Sequence, residues 1–179
     1  MTAESGRMRR VRPFSMVRRW FITAVLMTFS PQAFSADLPV ADFVRVDKSD
    51  RTLTLYRGDE VLRQFPVALG FEPIGDKEQE GDNKTPEGRY RLDHRNTESN
   101  FFLSIRISYP SADDVASARS RGVKPGGQIM IHGQPNEPKY STGYYASTDW
   151  TNGCIAVSNL AMIDIWLMTE VDTPIEIVP

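Results

Sequence analysis

Cys154 is the only cysteine in the 179-residue chain. It stands in the run Asp149-Trp150-Thr151-Asn152-Gly153-Cys154-Ile155-Ala156-Val157. His132 closes a second run, Ile129-Met130-Ile131-His132-Gly133, an apolar segment that stops at a histidine and a glycine. A thiol attacks a carbonyl as its thiolate, and an ordinary cysteine holds only a few per cent of that form near neutral pH. A neighbouring imidazole removes the proton, so a Cys and a His at the ends of separate strands are the minimum parts of a nucleophile and its base. Gly133, lacking a side chain, lets the backbone turn so that a carbonyl orients the other ring nitrogen, the third element of such a relay. Gly153 permits a conformation that aims successive N–H groups at one point, as an oxyanion hole requires. Asn152 and Gly133 join it as orienting or oxyanion candidates.

A free cysteine is more often a small buried hydrophobe than a nucleophile. The glycine before it, the second glycine-flanked strand end and an apparent export signal favour reactivity, because a lone thiol in an oxidising compartment has no partner in its own chain. Thr151 and Trp150 are candidates for the wall of a substrate groove, with Tyr144 and Tyr145 nearby. Arg106 and Tyr109 are candidates for contact with a substrate carboxylate, although a solvated strand face explains them more simply. His94 reads as a surface residue, and the charged run Asp76 to Asp82 as a solvated loop.

The export signal occupies residues 1–35. Arg9, Arg10, Arg12, Arg18 and Arg19 make a basic stretch, Trp20 to Phe29 an apolar segment of about ten residues, and Ala33-Phe34-Ser35 a small-residue cleavage site. The segment is short for a membrane span. The arginine pair partly fits a twin-arginine signal, and general secretion fits as well. The whole chain has 21 basic and 23 acidic residues; the leader takes six arginines and one glutamate, leaving 15 and 22, a net charge of −7. That balance argues against nucleic acid or an anionic membrane as the main partner. One Cys and two His, with no HxxxH or CxxC spacing, argue against a metal centre. No cofactor is expected.

These residues need a frame to bring them together. Phe43–Val46, Arg51–Tyr56 and Val61–Leu69 read as a strand meander broken by Lys48-Ser49-Asp50 and Arg57-Gly58-Asp59. Thr85-Pro86-Glu87-Gly88 is a turn into a strand at Arg89–Leu92, and Phe101–Ser108 alternates as another. Ser111 caps a short helix to about Ser120. Gln128–His132 is a strand, followed by an irregular stretch from Gly133 to Asp149, a length that is usually functional. A second helix starts at Ser158 or Asn159 with an apolar stripe of Leu160, Ile163, Trp166 and Leu167. Ile175–Val178 is the last strand. Six to eight strands and two short helices make the class mainly β.

The set Thr85-Pro86-Glu87-Gly88, Ile129 to Gly133 and Trp150 to Ile155 resembles the L,D-transpeptidase catalytic domain (YkuD domain) family, over nearly all of residues 41–178. The resemblance implies a β-sandwich-like fold and action on peptidoglycan stem peptides. Cys154 would be the nucleophile and His132 the proton donor and acceptor. Release of a terminal D-alanine would leave a thioester, resolved by an amine on a second stem or an envelope lipoprotein. Hydrolysis at the same site, as a carboxypeptidase or an amidase releasing an anchored lipoprotein, stays open, as does a non-catalytic peptidoglycan-binding module. The chain departs from the family pattern in three ways. Asn152 replaces a usual histidine and cannot titrate, Ala156 stands where Arg or Asn is common, and the interval from His132 to Cys154 is long.

Overall fold

The computed structural model describes residues 38–179 and Thr2; the remainder of the expected leader lies outside the described residues. Eight strands and three helices follow in order: β1 (Phe43–Asp47), β2 (Thr52–Arg57), β3 (Glu60–Pro66), β4 (Gly88–Ser99), β5 (Phe102–Ile107), α1 (Ala112–Ser120), β6 (Met130–His132), α2 (Thr142–Ser147), β7 (Ile155–Ala156), α3 (Asn159–Met168) and β8 (Pro174–Val178). The strands lie in the order β3-β2-β1-β8-β4-β5-β6-β7.

Alternation writes the meander. Val44 and Val46 point into the core while Arg45 is exposed, and Leu53 and Leu55 face them from β2. The turn between is held by the Asp47 carboxylate, which accepts from the Ser49 hydroxyl at 2.7 Å and the Asp50 N–H at 3.0 Å. β8, the last strand in sequence, lies parallel to β1 and antiparallel to β4 in mid-sheet, so Ile175 and Ile177 are buried. β4 is long enough to serve two partners. Gly88–Arg91 pairs with β8, and Leu92–Ser99 pairs with β5 beyond an irregularity around Asp93.

The two ends of the strand order also meet. Ala68, just past β3, exchanges both backbone hydrogen bonds with Ala156 of β7, each at 2.8 Å. Thr151 N–H donates to Leu69 O at 3.1 Å, and Phe71 N–H to Thr151 O at 2.9 Å. The ladder thus closes around the apolar core and pins the segment that leads into β7.

There are three helices, not two. α2 lies within the stretch read as irregular; it is one and a half turns long, too short for a periodic signal, and rests on its Ser141 cap and buried Tyr145. α1 begins with a reciprocal capping box between Ser111 and Asp114. α3 corrects the expected stripe: Ala161, Met162, Ile165 and Met168 are buried, while Leu160 and Leu167 are 78% and 53% exposed. The helix is apolar nearly all round, so periodicity alone does not select a face. Arg95 helps anchor its end, lying 4.9 Å over the Trp166 ring and donating to the carbonyls of Trp166 and Thr169.

The charged run 76–82 is also more ordered than a solvated loop. Lys77 is buried and paired with Asp82 at 2.6 Å, whose carboxylate further accepts from the N–H groups of Glu78, Gln79 and Lys84. Lys48 is a second buried lysine. Its three donors are met by Gly75 O at 2.6 Å, Thr85 O at 3.1 Å and Glu87 Oε1 at 2.7 Å, tying the Thr-Pro-Glu-Gly turn to the end of β1. Lys48→Met would leave those acceptors without their charge partner. The expected loss is about 3 kcal/mol, the lower end of the range for broken buried pairs because Glu87 keeps some solvent. Urea denaturation of the two proteins measures it.

Candidate active site

β6 and β7 are adjacent and parallel, with Ile131 opposite Ile155 and His132 opposite Ala156. Cys154 immediately precedes β7, so it is level with Met130. Side chains two apart along a strand share a face. Cys154 and His132 are therefore diagonal neighbours on one face, and both line a cleft of about 300 Å³ with Phe101, Ser104, Gln128, Met130, Trp150, Thr151 and Asn152. Larger hollows lie elsewhere, but neither is lined by a thiol or an imidazole.

His132 is buried and its ring is held on three sides. Nδ1 lies 2.7 Å from Gly133 O, which fixes the tautomer with the proton on Nδ1 and the lone pair on Nε2. Phe101 tilts against it at 4.6 Å between centroids, and Trp150 meets it edge-on at 5.5 Å. Gly133 must be glycine for space: a Cβ there would fall 2.6 Å from Asn159 Oδ1 and 2.9 Å from Phe102 Cβ.

Cys154 is half-buried. Its thiol is 3.5 Å from Gln128 O, a carbonyl delivered by a residue at φ +58° after the Gly126-Gly127 turn. Gly153 adopts φ +122°, and a Cβ on it would lie 2.6 Å from Lys84 O. Upstream, Asp149 holds the loop, accepting from Arg51 Nε and Nη2 and from Leu69 N–H at 2.8 Å.

The electrostatics favour a neutral pair at rest. Burial lowers the His132 pKa to about 4, against the opposing pull of the Gly133 carbonyl. Burial raises the Cys154 pKa, opposed by the Met130 backbone N–H and the charge of Lys77. A standing thiolate–imidazolium pair is thus disfavoured. Any attack by this thiol would have to be accompanied by proton transfer.

Several expected site residues lie otherwise. Tyr109 is buried in the core, its hydroxyl donating to Pro125 O at 2.8 Å, away from the cleft. Arg106 shares the sheet face of Met130 but is bound to Asp93 at 2.7 Å and does not line the cleft. His94, read as a surface residue, is indeed exposed, on β4. The Gly153 N–H is committed to Thr151 Oγ1 at 3.1 Å, and the Gly133 N–H to Phe101 O and Leu103 O, so neither is free to form an oxyanion hole. The Cys154 N–H has no partner among the described residues. Phe101, Ser104, Gln128 and Met130 were not singled out from sequence. Their types carry no chemical signal, and only strand register brings them to the cleft.

The sequence matches the L,D-transpeptidase catalytic domain family (YkuD) over residues 41–177. A curated relative, "Putative L,D-transpeptidase YafK" of Escherichia coli (strain K12), is 31% identical over 113 residues, 60% of this chain and 42% of that protein. The chain thus spans less than half the length of the curated relatives it matches. The crystal structure of the helical cell shape determining protein Pgp2 from Campylobacter jejuni aligns with TM-score 0.57 and 25% identity, covering 75% of this chain and 46% of that one. An L,D-transpeptidase from Mycobacterium smegmatis shares the fold, with TM-score 0.50 and 17% identity over 76% of this chain and 58% of its own.

Two measurements test this electrostatic description. Alkylation of Cys154 by iodoacetamide should be slow at neutral pH and still climbing at pH 9, with no acidic thiolate plateau. His132 should also make the fold acid-sensitive. Its folded pKa is depressed, so the unfolded chain takes up the proton first, and stability falls as pH drops from 6.5 towards 4. The loss is on the order of 3 kcal/mol, and the His132→Gln variant should lack that component of the slope in pH-dependent urea titrations.

Proposed function

The chain belongs to the L,D-transpeptidase catalytic domain family, and on that premise we propose that it transfers acyl groups of peptidoglycan stem peptides through a thioester on Cys154. The observation that carries this reading is the β6–β7 register, which sets the thiol diagonal to an imidazole whose Nδ1 is already committed. As the sulfur attacks the carbonyl carbon, its proton passes to His132 Nε2. The Gly133 carbonyl supports the imidazolium, and the uncommitted Cys154 N–H suits the developing oxyanion. The C–N bond then breaks, the leaving D-alanine takes the proton from Nε2, and the thioester remains. An amine of a second stem or of an envelope lipoprotein resolves it, regenerating the thiol. Trp150 and Thr151 wall the groove, and Asn152 supplies a non-titrating hydrogen-bonding group at its rim. The leader read at residues 1–35 supports action in the periplasm, where this substrate lies.

Incubation with disaccharide tetrapeptide, with and without glycinamide, tests the reading by product mass. Loss of D-alanine and a glycinamide adduct are expected for the native protein, with activity abolished in Cys154→Ala and reduced at least a hundredfold in His132→Gln. Tripeptide alone, unchanged by glycinamide, would make the protein a hydrolase. No turnover and no mass shift on Cys154 would sink the acyl-enzyme.

A further inference from the structure

Ser104 is the unexplained polar group of the cleft. It is 1% exposed, and its Oγ has no hydrogen-bond partner among the described residues. Buried hydroxyls nearly always find a partner, because an unmatched one costs stability. Its place is specific. β5 and β6 run antiparallel with Ser104 opposite His132. The flanking ladder bonds, Ile107 N–H to Ile129 O and Gly133 N–H to Leu103 O, make this a non-hydrogen-bonded pair, the closer kind, with Cα atoms about 4.5 Å apart. Both side chains share the face that carries Cys154, and all three line the same cleft. Since Gly133 O occupies Nδ1, only Nε2 is left for chemistry, on the sheet face that also carries an uncommitted hydroxyl.

We propose that Ser104 is a positioning residue for the second half of the reaction, its Oγ accepting a hydrogen bond from the nucleophile that resolves the thioester. The assignment rests on the acyl-transfer reading above. A primary amine attacking the thioester carbon with its lone pair has two N–H bonds left. One donates to His132 Nε2, which takes that proton, and the other donates to Ser104 Oγ. The C–N bond forms, the C–S bond breaks, and the proton on Nε2 passes to the departing sulfur. Thiol and neutral imidazole are restored. Water divides its two O–H bonds in the same way, so the shared requirement is a nucleophile with two donor hydrogens.

The test separates the two half-reactions. With disaccharide tetrapeptide, D-alanine release in the first turnover reports acylation, and the decay of the acyl-enzyme mass, with or without glycinamide, reports resolution. Ser104→Ala should acylate at close to the native rate but resolve about tenfold more slowly, the worth of one hydrogen bond, so that acyl-enzyme accumulates. Its melting temperature should be unchanged or higher, because an unmatched buried hydroxyl has been removed. Ser104→Thr, which keeps the hydroxyl, should restore resolution. Slowing in both arms assigns Ser104 to amine and water alike, and slowing with glycinamide alone assigns it to the amine. Native resolution rates in Ser104→Ala, equal loss of both half-reactions, or a fall in melting temperature that tracks activity would overturn the assignment. Absence of any Cys154 adduct on the native protein would overturn the acyl-transfer reading, and this one with it.

Discussion

The parallel pairing of β6 with β7 is the constraint on which the site depends. These strands are three and two residues long, and alone they would not persist. They hold because each is fastened on its other side, β6 to β5 and Ala156 of β7 to Ala68 beyond β3. The chain thereby closes the sheet across the segment that carries Cys154. A slip of one residue in that register would send either the thiol or the imidazole to the opposite face. Much of the surrounding structure reads as insurance against such a slip. Asp149 clamps the loop to Arg51 and Leu69, Thr151 bonds on both sides of Leu69–Phe71, and Gly153 lets the backbone pass against Lys84.

The second theme is dryness. Phe101 and Trp150 cover the imidazole, and burial drives both reacting groups towards their neutral forms. Such a site stores no reactive thiolate. In the proposed reaction the charge develops only when a carbonyl is present to receive the electrons, in surroundings where hydrogen-bond donors act with little screening. A thiol that is hard to ionise is correspondingly slow to oxidise.

Sequence and structure part company where burial, not pattern, decides. α3 is apolar on nearly every side, and the core chose Ala161, Met162, Ile165 and Met168 over the face that periodicity suggested. Lys77 and Lys48 look like surface charges in the sequence, yet both are buried, because local carboxylates and carbonyls satisfy their donors. Tyr109 and Arg106 read from the sequence as candidates for a substrate carboxylate, but the first donates to Pro125 O and the second is paired with Asp93. Ser104 went unnoticed for the opposite reason: a serine in mid-strand carries no signal until its neighbour across the ladder is known.

The mainly β class, most strand positions, the cap at Ser111, a second cap at Ser158 or Asn159, and the two short segments that carry Cys154 and His132 are legible in the sequence. These follow from local rules: alternation, turn chemistry and the scarcity of cysteine and histidine in this chain. Which strands became neighbours, which nitrogen of the imidazole stayed open, which N–H groups were already bonded, and which polar atom was left unmatched emerge only once the chain is folded. Such questions turn on register and burial, set by contacts between residues far apart in the chain, and no local pattern encodes them.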